Sequence, residues 1–123
     1  IWDETIIASD IDPTAVAVAK INFISNKLEQ KVSCIQSKGF SHPSISEEGP
    51  YDLIFANILK GPLIDMVPEF SEHCAFGGTI ILSGLLNEQY DEVLRAYIRA
   101  GFKLIQKKSL GEWMTLRMQR EIK

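Results

Sequence analysis

The stretch TIIASDIDPTAVAVAKINF, residues 5–23, decides the fold of this chain. Residues 5–11 are largely β-branched and apolar, which predicts a buried strand. Asp12 is a favourable helix N-cap and Pro13 suits the first helical position, so a helix is predicted to begin at once. This handover is typical of the second strand of a nucleotide-binding α/β unit, in which a first strand and a glycine-rich turn normally come earlier.

The predicted helix carries an apolar stripe. Ala17, Ile21, Ile24 and Leu28 recur at the three- and four-residue spacings of one helix face. This pattern predicts that the helix lies on a sheet and buries that face against it.

A second helix is predicted to open at Gly61 and Pro62 and to end at Gly77 and Gly78, and Pro68 predicts a kink or a break inside it. Its apolar positions are Leu63, Val67, Phe70 and Cys74.

The rest of the chain continues to alternate between strands and helices. Residues 37–50 predict a loop, and residues 87–100 predict a third helix that is closed by Gly101. The later strands are predicted at residues 32–36, 51–58, 79–83, 102–107 and 113–119. This order predicts an α/β fold, with a mostly parallel sheet and an antiparallel hairpin at its C-terminal edge.

Length and composition limit the classes of function. The chain has 123 residues, 46% of them hydrophobic, and a net charge of −3. It is long enough for one domain, and its charge provides no basic field for nucleic acid. No apolar run reaches the ~20 residues of a membrane span. Cys34 and Cys74 are isolated thiols without metal-ligand spacing, which favours a metal-free protein of the reducing cytoplasm.

Ligands of open α/β sheets bind at the carboxyl ends of the strands, which singles out Asp10 and Asp12 and the segments 37–40, 57–60 and 83–86. The carboxylate of Asp10 can accept hydrogen bonds from two ribose hydroxyls, but position alone fits a solvated strand-end residue equally well. Asn57 ends an apolar strand, so its amide is either satisfied by nearby backbone or faces a ligand. Helix capping already explains Asp12.

Five segments together carry a resemblance to a known family: SDIDPTAV, YDLIFANILKGPL, GGTIILSGLL, AGFKL and GEW. In these segments the chain resembles the S-adenosylmethionine-dependent methyltransferases that modify the eleventh protein of the large ribosomal subunit. The resemblance covers essentially the whole chain. The combination of ANILKGPL, LSGLL and GEW is its most specific part.

The resemblance implies a Rossmann-like methyltransferase sheet with the strand order 3-2-1-4-5-7-6 and an antiparallel seventh strand. In the family, the first strand and its glycine-rich turn precede the strand at residues 5–11. Residues 1–123 are therefore expected to be the C-terminal part of a catalytic domain without that strand and turn. Two strand edges are then left open, so we expect direct pairing of those strands, an exchange or association with another copy, or dependence on a further segment.

The resemblance also implies a site. Asp10 matches the ribose-binding acid and Ile11 the apolar adenine contact, while Gly39 and Phe40 lie in the turn that encloses the adenine. Asn57 matches the residue that contacts both cofactor and substrate and is the expected catalytic residue.

The implied reaction is methyl transfer from S-adenosylmethionine to a lysine or N-terminal amine of a ribosomal protein, with no metal. The net charge of −3 separately predicts no direct contact with nucleic acid. A methyltransferase with another substrate, a nicotinamide-dinucleotide module and a non-catalytic remnant are the alternatives.

Overall fold

The computed structural model describes residues 4–122. The chain divides into two units, Ile1–Glu48 and Gly49–Lys123, and each is described by itself. In the first unit, strand β1 spans Ile6–Asp10 and helix α1 spans Pro13–Ser25. The predicted start of this helix is confirmed, because the Asp12 side chain accepts a hydrogen bond from the backbone N–H of Thr14 at 2.9 Å.

The first unit contains a two-stranded parallel sheet. Strand β2 spans Val32–Gln36 and pairs with β1 from Ile6 opposite Val32 to Asp10 opposite Gln36. The predicted loop at residues 37–50 contains one turn of helix, α2, at Pro43–Ser46. His42 caps this turn, because its Nδ1 accepts a hydrogen bond from the backbone N–H of Ser44 at 3.0 Å. The sequence did not predict α2, because the polar composition of residues 37–50 is typical of a loop.

The predicted inward face of α1 is wrong. Ile21 and Ile24 are more than 60% exposed, whereas Val16 is the buried residue of the helix. Apolar side chains occur on two sides of α1, so the periodicity fits two faces equally well. Packing on the sheet selects the face that carries Val16.

The second unit begins with the parallel pair of strand β3, Tyr51–Asn57, and strand β4, Cys74–Leu86. Helices α3, Lys60–Asp65, and α4, Val67–His73, connect these two strands. The break between the helices falls at Met66, and Pro68 lies in the first turn of α4, which confirms the predicted interruption.

The end of this helical segment differs from the prediction. Cys74 was predicted as a helical position before a stop at Gly77 and Gly78, but its backbone is extended and it begins β4. Its side chain is fully buried. A single apolar residue satisfies a helical spacing and a strand start equally well, so the sequence pattern could not place this boundary.

The remaining elements complete a four-stranded sheet. A turn of 3-10 helix at Asn87–Gln89 leads into helix α5, Tyr90–Arg99, and strands β5, Phe102–Leu110, and β6, Trp113–Arg120, form the predicted hairpin. The strand order is β3-β4-β6-β5, and β6 is antiparallel to both of its neighbours.

The core of the second unit lies on one face of this sheet. Leu82, Leu116 and Met118 are fully buried there, together with Val93 and Tyr97 from α5. The Tyr97 ring packs edge-on against Phe102, with 5.6 Å between ring centroids. Burial of this apolar cluster stabilises the unit by about 25 cal/mol per Å² of surface removed from water.

Among the described residues, the strands form two separate sheets, β1-β2 and β3-β4-β6-β5. The family order is 3-2-1-4-5-7-6. Without strand 1 it divides into 3-2 and 4-5-7-6, and the two observed sheets correspond to these two parts. Direct pairing of β1 with β3, one of the three alternatives that the sequence leaves open, is not among the strand pairs of the described residues.

None of the described helices has the length and apolar character required to cross a membrane. Residues 4–122 also contain no group of three or more His, Cys, Asp or Glu side chains arranged to hold a metal ion.

Candidate functional site

Asp10 ends β1, and its carboxylate is already oriented. Its Oδ1 accepts a hydrogen bond from the backbone N–H of Asp12 at 2.9 Å. This contact fixes the side chain at the turn into α1 and uses one of about four acceptor positions of the carboxylate. The residue is exposed, so the remaining acceptor positions are available to a ligand with hydroxyl groups.

Ser37 organises the turn that follows β2. It is the one buried polar residue among the described residues. Its backbone N–H donates to the Asp10 carbonyl at 2.9 Å, and its hydroxyl donates to the Gly39 carbonyl at 2.8 Å and accepts from the His42 N–H at 3.2 Å. Ser37 thus joins the end of β1 to the turn, and both are held in one arrangement.

A pocket of about 430 Å³ opens beside this turn. Its volume lies within the range of small-molecule sites, about 300–1,000 Å³. Ile11 contributes an apolar surface that is 62% exposed. The other lining residues are Gln36, Ser37, Lys38, Ser41, His42 and Pro43.

The predicted site residues occupy different positions around this pocket. Ile11 lines it, and Asp10 directly precedes Ile11. Gly39 has a φ of +59° and provides the carbonyl that Ser37 binds. Phe40 is buried and, like Gly39, is not a lining residue. The structure therefore makes Phe40 a support of the turn, and the lining side chains come from the residues on either side of it.

Sequence reasoning missed four of the lining residues, namely Gln36, Ser41, His42 and Pro43. The sequence pattern predicts Gln36 as the last residue of a strand and places His42 in the loop predicted at residues 37–50. The available signal was the dipeptide of His42 and Pro43, because a capping residue followed by proline is a helix start. Recognising it would have placed the start of α2 beside the turn.

In the second unit, Asn57 ends β3 and is exposed. It lies opposite Ser83 in the parallel register. Gly84 follows Ser83 with a φ of +81°, and a Cβ atom at Gly84 would lie 2.7 Å from Asn57 Oδ1 and 3.0 Å from the Ile58 carbonyl oxygen. The motifs that contain Asn57 and Gly84 are therefore in direct contact.

The chain after Asn57 turns away from the strand through Ile58 and Leu59. Leu59 is 74% exposed, and α3 begins at the next residue, Lys60. Lys60 Nζ forms a salt bridge with Glu92 Oε2 of α5 at 3.0 Å. This abrupt exit leaves the Asn57 amide at the carboxyl edge of the sheet.

The two cysteines do not belong to a reactive site. Burial raises the pKa of the Cys74 thiol, which is enclosed in the core at the start of β4. Burial also raises the pKa of the Cys34 thiol. Both side chains are thus favoured as neutral thiols, in keeping with structural roles.

The first unit has an acid, Asp10, at the end of a parallel strand and the buried Ser37 in the turn after β2, and the second unit has the exposed Asn57 after an apolar strand. Together with the two observed parts of the strand order, they place the fold among Rossmann-like methyltransferases. One solved structure in this class, the ribosomal protein L11 methylase from Lactobacillus delbrueckii subsp. bulgaricus, superposes with a TM-score of 0.84 at 26% identity. The alignment covers 96% of this chain and 59% of that one.

The chain belongs to the family described as "Ribosomal protein L11 methyltransferase (PrmA)", whose model matches residues 3–121. A ribosomal protein L11 methyltransferase from Chelativorans sp. (strain BNC1) is 40% identical over 115 residues, which are 94% of this chain and 40% of that protein. A protein of the same name from Brucella suis (strain ATCC 23445 / NCTC 10510) is 48% identical over 96 residues, 78% of this chain and 34% of that protein. The chain thus spans 34–40% of the length of these relatives.

Proposed function

We propose that residues 1–123 are part of a methyltransferase catalytic domain that transfers methyl groups from S-adenosylmethionine to amino groups of ribosomal protein L11. Family membership supports the reaction class and the substrate protein. The observation that carries the proposal is the pre-oriented Asp10 carboxylate beside the pocket lined by Ile11.

The residues present fit the adenosine part of the methyl donor. A carboxylate with free acceptor positions suits a vicinal diol, and an exposed Ile11 side chain suits the face of a purine ring. Because Ser37 and Asp12 already hold the turn and the carboxylate, little conformational entropy has to be lost on binding. Gly39 and Phe40 act as the frame of this turn.

We assign to Asn57 the role of orienting the substrate amine. When bound, S-adenosylmethionine supplies a methyl group on a positively charged sulfur, and the amine nitrogen forms the new bond to carbon while the carbon–sulfur bond breaks. Lysine has a reference pKa near ~10.4, so the amine has to lose its proton before its lone pair can attack. The Asn57 side-chain oxygen can accept a hydrogen bond from the neutral amine and orient that lone pair.

The first test is an isothermal calorimetric titration of this chain with S-adenosylmethionine, compared with Asp10→Asn. Asparagine retains an oxygen for the Asp12 N–H but has lost the second carboxylate oxygen and the charge. Binding that weakens at least tenfold in this variant, and not in Asp65→Asn, supports the ribose contact. Heat of binding with NADH instead of S-adenosylmethionine would favour the nicotinamide alternative.

A transfer assay separates the remaining alternatives. The chain is incubated with radiolabelled S-adenosylmethionine and purified L11, and incorporation is compared with Asn57→Ala. Label in L11 that depends on Asn57 supports the full proposal. Cofactor binding without transfer to L11 leaves a methyltransferase for another substrate or a non-catalytic remnant.

A further inference from the structure

The charge of this chain is unevenly distributed. The hairpin of β5 and β6, residues 102–120, contains five cations and one anion, whereas the rest of the sequence contains eight cations and fifteen anions. The hairpin therefore carries a net charge of +4 within a chain whose total is −3. The single anion, Glu112, lies in the turn between the two strands.

Three of these cations share one face of the sheet. Residues opposite each other in an antiparallel ladder point to the same side. Lys103 lies opposite Gln119, Gln106 opposite Arg117, and Lys108 opposite Thr115. Leu116 and Met118, at the alternate positions of β6, are fully buried, so Lys103, Arg117 and Lys108 point away from the core.

We call these three residues the basic row. Arg117 is the diagonal neighbour of both lysines, and diagonal neighbours in a sheet are about 7–8 Å apart. A register irregularity between Leu104 and Gln106 produces this arrangement. Strict alternation from Lys103 would bring Lys107 to the same face, and the irregularity brings Lys108 there instead.

The basic row is exposed and has no ion-pair partner among the described residues. The strands β4, β5 and β6 contain no Asp or Glu. The other two cations of the hairpin do have contacts. Lys107 donates to the Tyr90 hydroxyl at 3.2 Å on the other face, and Arg120 stacks on Phe76 and donates to the Cys74 carbonyl.

An exposed aromatic side chain lies beyond one end of the basic row. Trp113 is 54% exposed, lies opposite Leu110, and belongs to the same face as Lys108 and Thr115. Three unpaired cations that lead to a tryptophan on a flat sheet face combine the two elements of single-strand recognition, phosphate contacts and a stacking surface.

We propose that this face of the β5–β6 hairpin binds a single-stranded polynucleotide, with the basic row on successive phosphates and a base on Trp113. An acidic peptide would use the three cations but would leave the tryptophan without a role. A double helix would offer no unstacked base to it. The proposal is independent of methyl transfer and runs against the prediction of no nucleic-acid contact, which considers only the total charge.

The test is fluorescence anisotropy with labelled twelve-residue oligouridylate and oligoadenylate, titrated with the full chain at several potassium chloride concentrations. Three phosphate contacts to a single strand predict a log–log salt slope of about −2. Arg117→Gln and Lys108→Gln should each weaken binding and flatten the slope by about 0.7. Trp113→Leu should weaken binding about tenfold with the slope unchanged.

Lys107→Gln is the matched control, because it removes a cation of the same hairpin from the opposite face. An effect equal to that of Lys108→Gln would overturn the assignment of the face. Equally strong binding of polyglutamate would overturn the polynucleotide, and equally strong binding of a duplex would overturn the single strand. Absence of binding at 50 mM salt would overturn the proposal as a whole. Titrations with deoxyribonucleotide oligomers of the same sequences show whether the face binds RNA or DNA more tightly. A preference for either supports the proposal of a single-stranded polynucleotide.

Discussion

Gly84 lies against the side chain of Asn57, and the space between them does not accommodate a methyl group. A Cβ atom at Gly84 would lie 2.7 Å from Asn57 Oδ1, and the glycine has a φ of +81°. The close approach and the backbone conformation both require glycine. The segment after β4 thereby limits where the Asn57 amide can point.

Gly84→Ala is expected to displace the Asn57 amide and to cost about 1–2 kcal/mol through the left-handed backbone alone. In the transfer assay, the rate at saturating methyl donor should fall more than donor affinity does. Thermal unfolding of the same variant measures the stability cost. Gly61→Ala is the control, since a Cβ atom there meets nothing within 4 Å. An unchanged transfer rate in Gly84→Ala would show that the position of the amide does not matter.

Tyr97 ties α5 to the end of the first turn of α3. Its hydroxyl donates a buried hydrogen bond to the Leu63 carbonyl at 2.8 Å. Tyr97→Phe preserves the ring contacts and leaves this carbonyl unsatisfied, so we expect a loss of about 1–3 kcal/mol in the free energy of unfolding. Urea denaturation followed by circular dichroism measures it. A loss below 0.5 kcal/mol, on the order of a surface substitution, would indicate that water replaces the bond.

Tyr97 is also expected to make the free energy of unfolding depend on pH. Burial raises the pKa of Tyr97 above its ordinary value of 10. Above pH 10 the unfolded chain releases this proton while the folded chain retains it, so the folded state is favoured below pH 10 and loses stability as pH rises. The slope for one group is at most about −1.4 kcal/mol per pH unit.

Unfolding free energies at pH 9, 10 and 11 for the wild type and Tyr97→Phe test this relation. The difference between the two proteins should shrink as pH rises. A constant difference over this range would show that Tyr97 titrates alike in the folded and unfolded states.

The unpaired edge of strand β3 leads us to expect that copies of the chain associate with one another. Leu53 and Phe55 lie on one face of this strand and Ile54 and Ala56 on the other, a continuous apolar run that is typical of interior parallel strands. Nevertheless β3 pairs only with β4 in the described sheet, and Phe55 is 72% exposed. An unpaired apolar strand of this kind favours association between copies.

Phe55→Lys should shift the chain toward monomer in sedimentation velocity over a concentration series. Ile98→Lys replaces another exposed apolar residue, 50% exposed, on helix α5 and should leave the distribution unchanged. Equal effects of both substitutions would attribute the association to general surface hydrophobicity.

Much of the fold could be predicted because the deciding signals are local. Asp12 and Pro13 start α1 through a side-chain cap and a fixed φ angle, neither of which needs the rest of the molecule. Pro68 breaks the helical segment for the same kind of reason. The strand-end position of Asp10 followed directly, because the strand ends where the cap begins.

The errors occurred where the local pattern allows two answers. The apolar side chains of α1 fit two helix faces, and Cys74 fits both a helical spacing and a strand start. Burial distinguishes the two faces of α1, and pairing with Tyr51 places Cys74 in a strand; both depend on residues distant in sequence.

The sequence by itself determined the order of the strands, the capped start of α1 and the strand-end positions of Asp10 and Asn57, because these follow from short-range chemistry. Tertiary structure alone decided that Gly84 touches Asn57, since β3 and β4 become neighbours only in the sheet. It also decided which lysines share a face with Arg117. The register irregularity near Ile105 changes which side chains of β5 point to each face of the sheet. The irregularity is defined by the pairing of β5 with β6, so it cannot be read from β5 alone.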